Sequence, residues 1–176
     1  MKKCALVIGH KKTSQGASNQ ASGLTEYLFN DSLAQDIENK VSGVEIQRVY
    51  RRTYGTLPGD INALDPDFIV SLHCNAFNGS AGGTEVLYYH RSVVGKFMAE
   101  LLNTKLVNAL GLNNRGIKPK TAEDRGGYLL VSTDAPCVIA EPFFIDNDSD
   151  LRKAMNKRKK LVKAYAVGIE AIANQI

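Results

Sequence analysis

Five stretches of the chain carry the apolar patterning of sheet strands, and between them lie segments with the wider spacing of helices. Cys4-Ala5-Leu6-Val7-Ile8 is apolar almost without interruption, as a central strand covered on both faces should be, and Gly9 then permits a sharp departure into His10. Lys11 to Gly23 is rich in Ser, Asn, Gly and Gln and has no periodicity, which predicts a loop. From Leu24 the spacing changes. Tyr27, Leu28, Leu33, Ala34, Ile37 and Val41 approximate one helical face that ends at Gly43, and Glu26 falls in or just before its first turn, where the helix field favours an anion.

Val44 to Tyr50 alternates as a strand nearer a sheet edge. Pro58-Gly59 and Asp65-Pro66 punctuate the next segment, where Ile61, Ala63 and Leu64 suit one short helix. Phe68 to His73 predicts a buried strand, Asn75 to Gly83 a polar loop, and Thr84 to Tyr89 a further strand. Val94, Phe97, Met98, Leu101, Leu102 and Leu106 define a long helix over Val93 to Leu110, stopped by Gly111. Asn114 to Gly127 is polar and basic with weak structural signals, and Tyr128 to Val131 suits a short turn or helix. Cys137 to Glu141 is the last predicted strand, with Pro142 biasing Glu141 toward an extended backbone. Asp146 to Asp150 offers caps for a terminal helix in which Leu161, Val162, Tyr165, Ile169 and Ile172 recur at helical intervals.

This alternation predicts an α/β fold: one twisted, mainly parallel sheet with helices on both faces, whose strand carboxyl ends form the rim of a site. At 176 residues the whole chain, 1–176, reads as one domain around one core. The first residues, MKKCALVIGHKK, are too briefly apolar for a signal peptide, and no stretch is long enough for a membrane span. The expectation is therefore synthesis in the cytoplasm, no stable membrane insertion, and passage by another agent if the substrate lies outside. Charge adds one feature: seven of the 22 basic residues fall between Arg152 and Lys163, with no acid among them. Such a face suits a solvated helix or attraction to an anionic cell-wall polymer. No finger, KH-like or RNP-like pattern accompanies it, so no nucleic-acid partner is expected.

The candidate chemistry sits at strand ends. His10, His73 and Glu141 each close a predicted strand, and Glu26 opens the helix after the first. Two imidazoles and a carboxylate are a recurrent catalytic zinc set, which His10, Glu26 and His73 fit with one Zn²⁺ per chain. Glu141, ending a hydrophobic strand, suits a general base made more basic by desolvation. Taken singly, His10 also reads as a solvated loop residue, His73 as a core histidine, and Glu26 as an ordinary first-turn acid. Cys4, Cys74 and Cys137 are widely spaced and read as reduced thiols; in an extended backbone Cys74 points away from His73 and Asn75.

Gly9-His10, Glu26 with Asn30, Ser71-Leu72-His73-Cys74-Asn75-Ala76 and Glu141 within VIAEPFFIDN together resemble the zinc N-acetylmuramoyl-L-alanine amidases of the amidase-3 type, especially phage endolysin catalytic domains. The resemblance runs along essentially the whole chain. It implies a sheet of about six strands, zinc held by His10, Glu26 and His73, catalysis by Glu141, and a position near the site for Asn75. Arg115-Gly116 also looks familiar, without a defined role. Two departures are Lys11-Lys12 after His10, where many relatives have Gly-Gly, and Pro142 after Glu141. The implied reaction is hydrolysis of the amide between N-acetylmuramic acid and L-alanine in peptidoglycan or a muropeptide. A zinc carboxypeptidase-like enzyme and a non-catalytic wall-binding protein are the competing readings.

Overall fold

The computed structural model describes residues 1–176 and contains one six-stranded sheet in the order β2-β1-β3-β6-β4-β5. The strands are β1 (Lys2–Ile8), β2 (Val44–Tyr50), β3 (Phe68–Leu72), β4 (Thr84–Tyr89), β5 (Asn114–Lys120) and β6 (Cys137–Glu141). Between and after them run α1 (Glu26–Lys40), α2 (Leu57–Asn62), α3 (Val93–Leu110), α4 (Gly127–Ser132), α5 (Asp148–Asn156) and α6 (Arg158–Ala173). No helix is long and apolar enough to cross a membrane.

Strand alternation divides the core in two. Cys4, Leu6 and Ile8 of β1, Phe68, Val70 and Leu72 of β3, and Val138 and Ala140 of β6 face a large core completed by α1, α3, α5 and α6. Ala5, Val7, Ile69 and Ile139 point the other way, onto the short helices α2 and α4. Because both faces are covered, the central strands are apolar at nearly every position, which is why they were readable. The polar exceptions on the α2/α4 side, Ser71, Glu85 and Glu141, therefore mark the place where the thinner helical layer leaves the sheet open.

The sheet is mainly parallel, with one reversal: β4 runs antiparallel to β6, pairing Glu85 with Glu141, and β5 runs parallel to β4. Asn114–Lys120, part of the polar, basic connection in which the sequence showed only weak structural signals, is thus the sixth strand. It pairs only with β4, at the sheet edge, where exposed Arg115 and the missing N–H of Pro119 are tolerated. The terminal helix is also two helices, α5 and α6, broken at Lys157, which leaves helical geometry (φ −106°, ψ 20°). Its ammonium donates to the carbonyl of Leu110 at 2.7 Å, satisfying the end of α3. The first helix begins at Glu26, in its first turn as expected, and Thr25 caps it by accepting from the Leu28 N–H.

Candidate active site

The site forms where the ends of β1 and β3 meet the start of α1. Gly9 N–H donates to Leu72 O at 2.9 Å, locking the two strand ends together. Any Cβ at Gly9 would lie 2.5 Å from that oxygen and 2.7 Å from the His73 ring, so only glycine fits there. His10 follows with φ +66°, a left-handed conformation that costs a non-glycine residue about 1–3 kcal/mol. Behind its ring stands Gly16, where a Cβ would come within 2.5 Å of the imidazole. Beyond Gly16 the loop is pinned by Asn19, which is 2% exposed and donates to Ile145 O and Asp148.

Glu26 is the centre of this cluster. It is 1% exposed, accepts from the backbone of Ala17 (3.0 Å) and Cys74 (3.2 Å), and lies 3.2 Å from His10 Nε2 and 3.3 Å from His73 Nδ1. Burial pushes its pKa up, but the two imidazoles beside it, His10 and His73, outweigh burial and hold the carboxyl well below the usual range. It is therefore ionised and available as a ligand.

The three donors of His10, Glu26 and His73 lie within 4.8 Å of one another. Ligands placed about 2.0–2.1 Å from a tetrahedral zinc are about 3.3 Å apart, close to both imidazole–carboxylate distances found here. His10 Nε2 is buried, and although Glu26 is near, it has no hydrogen-bond partner of acceptable angle. A buried nitrogen left without a partner is costly in a site made only of protein and is satisfied by a metal. By donor chemistry and by this orphaned atom, the residues present fit zinc.

Glu141 lies beside them. The His73 N–H donates to Ala140 O at 3.0 Å, placing the end of β6 next to the His73 loop, and Glu141 lines the same cleft of about 620 Å³. Burial first, then the charges of Glu85 and Glu26, raise its pKa to about 7, with Arg125 and Lys120 opposing. The contribution of Glu85 was not anticipated from the sequence. Its side chain is 8% exposed and accepts from Asn75 Nδ2 at 2.9 Å and from Arg115 Nε at 2.7 Å. Asn75 Oδ1 in turn accepts from Ala76 N–H, and the Arg115 guanidinium lies 5.0 Å from the centroid of the Phe144 ring. Asn75 and Arg115 thus belong to one partly buried network that ties the loop after β3 to β4. An acid inside the otherwise apolar run Glu85-Val86-Leu87 was the available signal.

The cysteines take no part in this site's chemistry. Cys74 faces the large core, 3.8 Å from Asn30 Nδ2, and burial together with the charge of Glu26 raises its thiol pKa well above normal. Burial likewise pushes the Cys137 thiol up to about 12. Neither is a thiolate ligand or nucleophile at neutral pH.

The family model described as N-acetylmuramoyl-L-alanine amidase matches residues 4–171. An uncharacterized cell wall amidase of Bacillus anthracis is 32% identical over 113 residues, 58% of this chain and 20% of that protein. The N-acetylmuramoyl-L-alanine amidase LytC of Bacillus subtilis is 28% identical over 163 residues, 86% of this chain and 32% of its own. This chain therefore spans about a fifth to a third of those relatives. Among solved structures, the catalytic domain of the CD27L endolysin targeting Clostridia difficile superposes with a TM-score of 0.82 at 27% identity, covering 97% of this chain and 98% of that one.

Proposed function

This chain belongs to the N-acetylmuramoyl-L-alanine amidase family, and from that premise we propose that it hydrolyses the amide between N-acetylmuramic acid and L-alanine in peptidoglycan. In this reading His10, Glu26 and His73 hold one zinc ion and Glu141 moves the proton. The observation that carries it is a cleft lined by the two imidazoles of the His10–Glu26–His73 cluster and by a separate carboxyl, Glu141, whose pKa is lifted to about 7.

A zinc ion held there supplies a Lewis acid for the scissile carbonyl and makes a water molecule acidic enough to attack at neutral pH. The rest of the work falls to the chain. Glu141, made more basic by burial and by its acidic neighbours, accepts a proton from the attacking water and returns it to the departing nitrogen of L-alanine, a role that requires an acid able to pass between its two states. Glu85 keeps Glu141 poised by its charge and, through Asn75, fixes the loop that carries His73. Arg115 neutralises the far side of Glu85, so the like charges of Glu85 and Glu141 can coexist.

A second surface supports attraction to an anionic wall polymer. Lys40, Lys159, Lys160 and Lys163 line a recess between the end of α1 and the start of α6, and none of them has a carboxylate partner. Mass analysis of the products of a defined muropeptide tests the bond choice. Release of the intact stem peptide with a free L-alanine amine supports the amidase; removal of one terminal residue establishes the carboxypeptidase-like alternative, and no turnover by the zinc-loaded protein establishes a binding protein.

A further inference from the structure

Arg51, immediately after β2, lines the active-site cleft together with His10, His73 and Glu141. Other arginines are committed: Arg48 pairs with Glu38, Arg115 with Glu85 and Arg158 with Asp36. The neighbouring Arg52 pairs with Asp60. Arg51 has no carboxylate within ion-pair distance, and its Nε is buried without a hydrogen-bond partner.

Its position is nevertheless fixed. The guanidinium carbon lies 5.6 Å from the centroid of the Tyr54 ring, Tyr54 packs against Tyr128 with centroids 5.4 Å apart, and the Tyr128 hydroxyl donates to Gly55 O at 3.0 Å. On one side the charge has the same sign, since Lys11 and Lys12 line the shallow recess beside Arg51. On the opposite side of the cleft, Lys120 and Arg125 already act on Glu141, alongside the acids Glu123 and Asp124. Arg51 is therefore a braced guanidinium facing the cleft with no acid to neutralise it. A planar fork of donors held by aromatic stacking matches a carboxylate, and a bound carboxylate would supply the acceptor that the buried Nε lacks.

Resting on the amidase reading above, we propose that Arg51, braced by Tyr54 and Tyr128, is a specificity residue that binds a carboxylate of the peptide stem. The first such group beyond the scissile amide is the free α-carboxylate of the γ-linked glutamate that follows L-alanine. A cleft built this way prefers stems in which that carboxylate is free over stems in which it is amidated.

The test compares kcat and KM of zinc-loaded wild type, Arg51→Gln and Arg51→Lys on two muropeptides that differ only in amidation of that carboxylate. The wild type should favour the free acid by about tenfold or more, the scale of a hydrogen bond to a charged group. Arg51→Gln should bring the ratio toward one, mainly through KM for the acid, and Arg51→Lys should recover part of it. Amidating the stem's C-terminal carboxylate instead should leave the wild-type ratio intact. Equal kcat/KM of the wild type on both stems overturns the proposal, and so does an Arg51→Gln loss of the same size on both, which marks a structural role. Cleavage of both stems at a bond other than the N-acetylmuramoyl amide overturns the amidase reading, while a collapsing ratio at that other bond would still support the role of Arg51.

Discussion

Replacing Glu141 by glutamine should make the metal-free protein more stable above neutral pH, although it removes the residue assigned to catalysis. The carboxyl has its pKa raised from 4.5 to about 7 by burial and by the charges of Glu85 and Glu26. Between those values the folded protein keeps a proton that the unfolded chain has released, so stability falls as pH rises through this window and the loss is complete above about pH 7. A span of about 2.5 pH units corresponds to a ceiling of about 3 kcal/mol. Glu141 is only partly buried, and screening by solvent brings the expected difference to about 1–2 kcal/mol. Glutamine keeps the volume and carries no charge, so the variant escapes the loss. Urea unfolding of both proteins in chelator, from pH 4.5 to 8, should give nearly equal stabilities at the acid end and a growing advantage for Glu141→Gln toward pH 7. A difference that does not change with pH would refute the claim that this carboxyl is destabilised when ionised.

Gly16→Ala should lower zinc affinity by about tenfold, since the added Cβ would press on the His10 imidazole from 2.5 Å at a φ of +78°; a wild-type binding isotherm would show that the ring is not held from that side. Neutralising Lys159, Lys160 and Lys163 to glutamine should weaken sedimentation with purified cell walls most at low salt while sparing turnover of a soluble muropeptide. Binding that is unchanged across salt concentrations would reduce the basic recess to a solvated surface.

The parts of this fold that the sequence made legible are those where burial leaves no choice of residue. β1, β3 and β6 lie between two helical layers and are apolar at nearly every position, so their ends, and with them His10, His73 and Glu141, could be placed. Glu26 was legible because a helical pattern starts beside it. β5 was not, because an edge strand is held by backbone pairing and Asn114, Arg115, Lys118 and Lys120 need no apolar face. Nor does any residue pattern encode the direction of β4. Only its antiparallel pairing with β6 brings Glu85, at the beginning of its strand, against Glu141 at the end of another. The break at Lys157 was hidden for a similar reason: it depends on a contact with the end of α3, 47 residues earlier in the chain.

The central claim is a division of labour in which three residues hold the metal and a fourth moves the proton. The most direct measurement determines zinc content and stem-peptide release together for wild type, Glu26→Gln and Glu141→Gln. The account predicts about one zinc per chain in the wild type and in Glu141→Gln, with kcat lowered about 100-fold or more in the latter, and loss of zinc and activity together in Glu26→Gln. Zinc-loaded Glu141→Gln releasing free stem peptide at nearly the wild-type rate would contradict it.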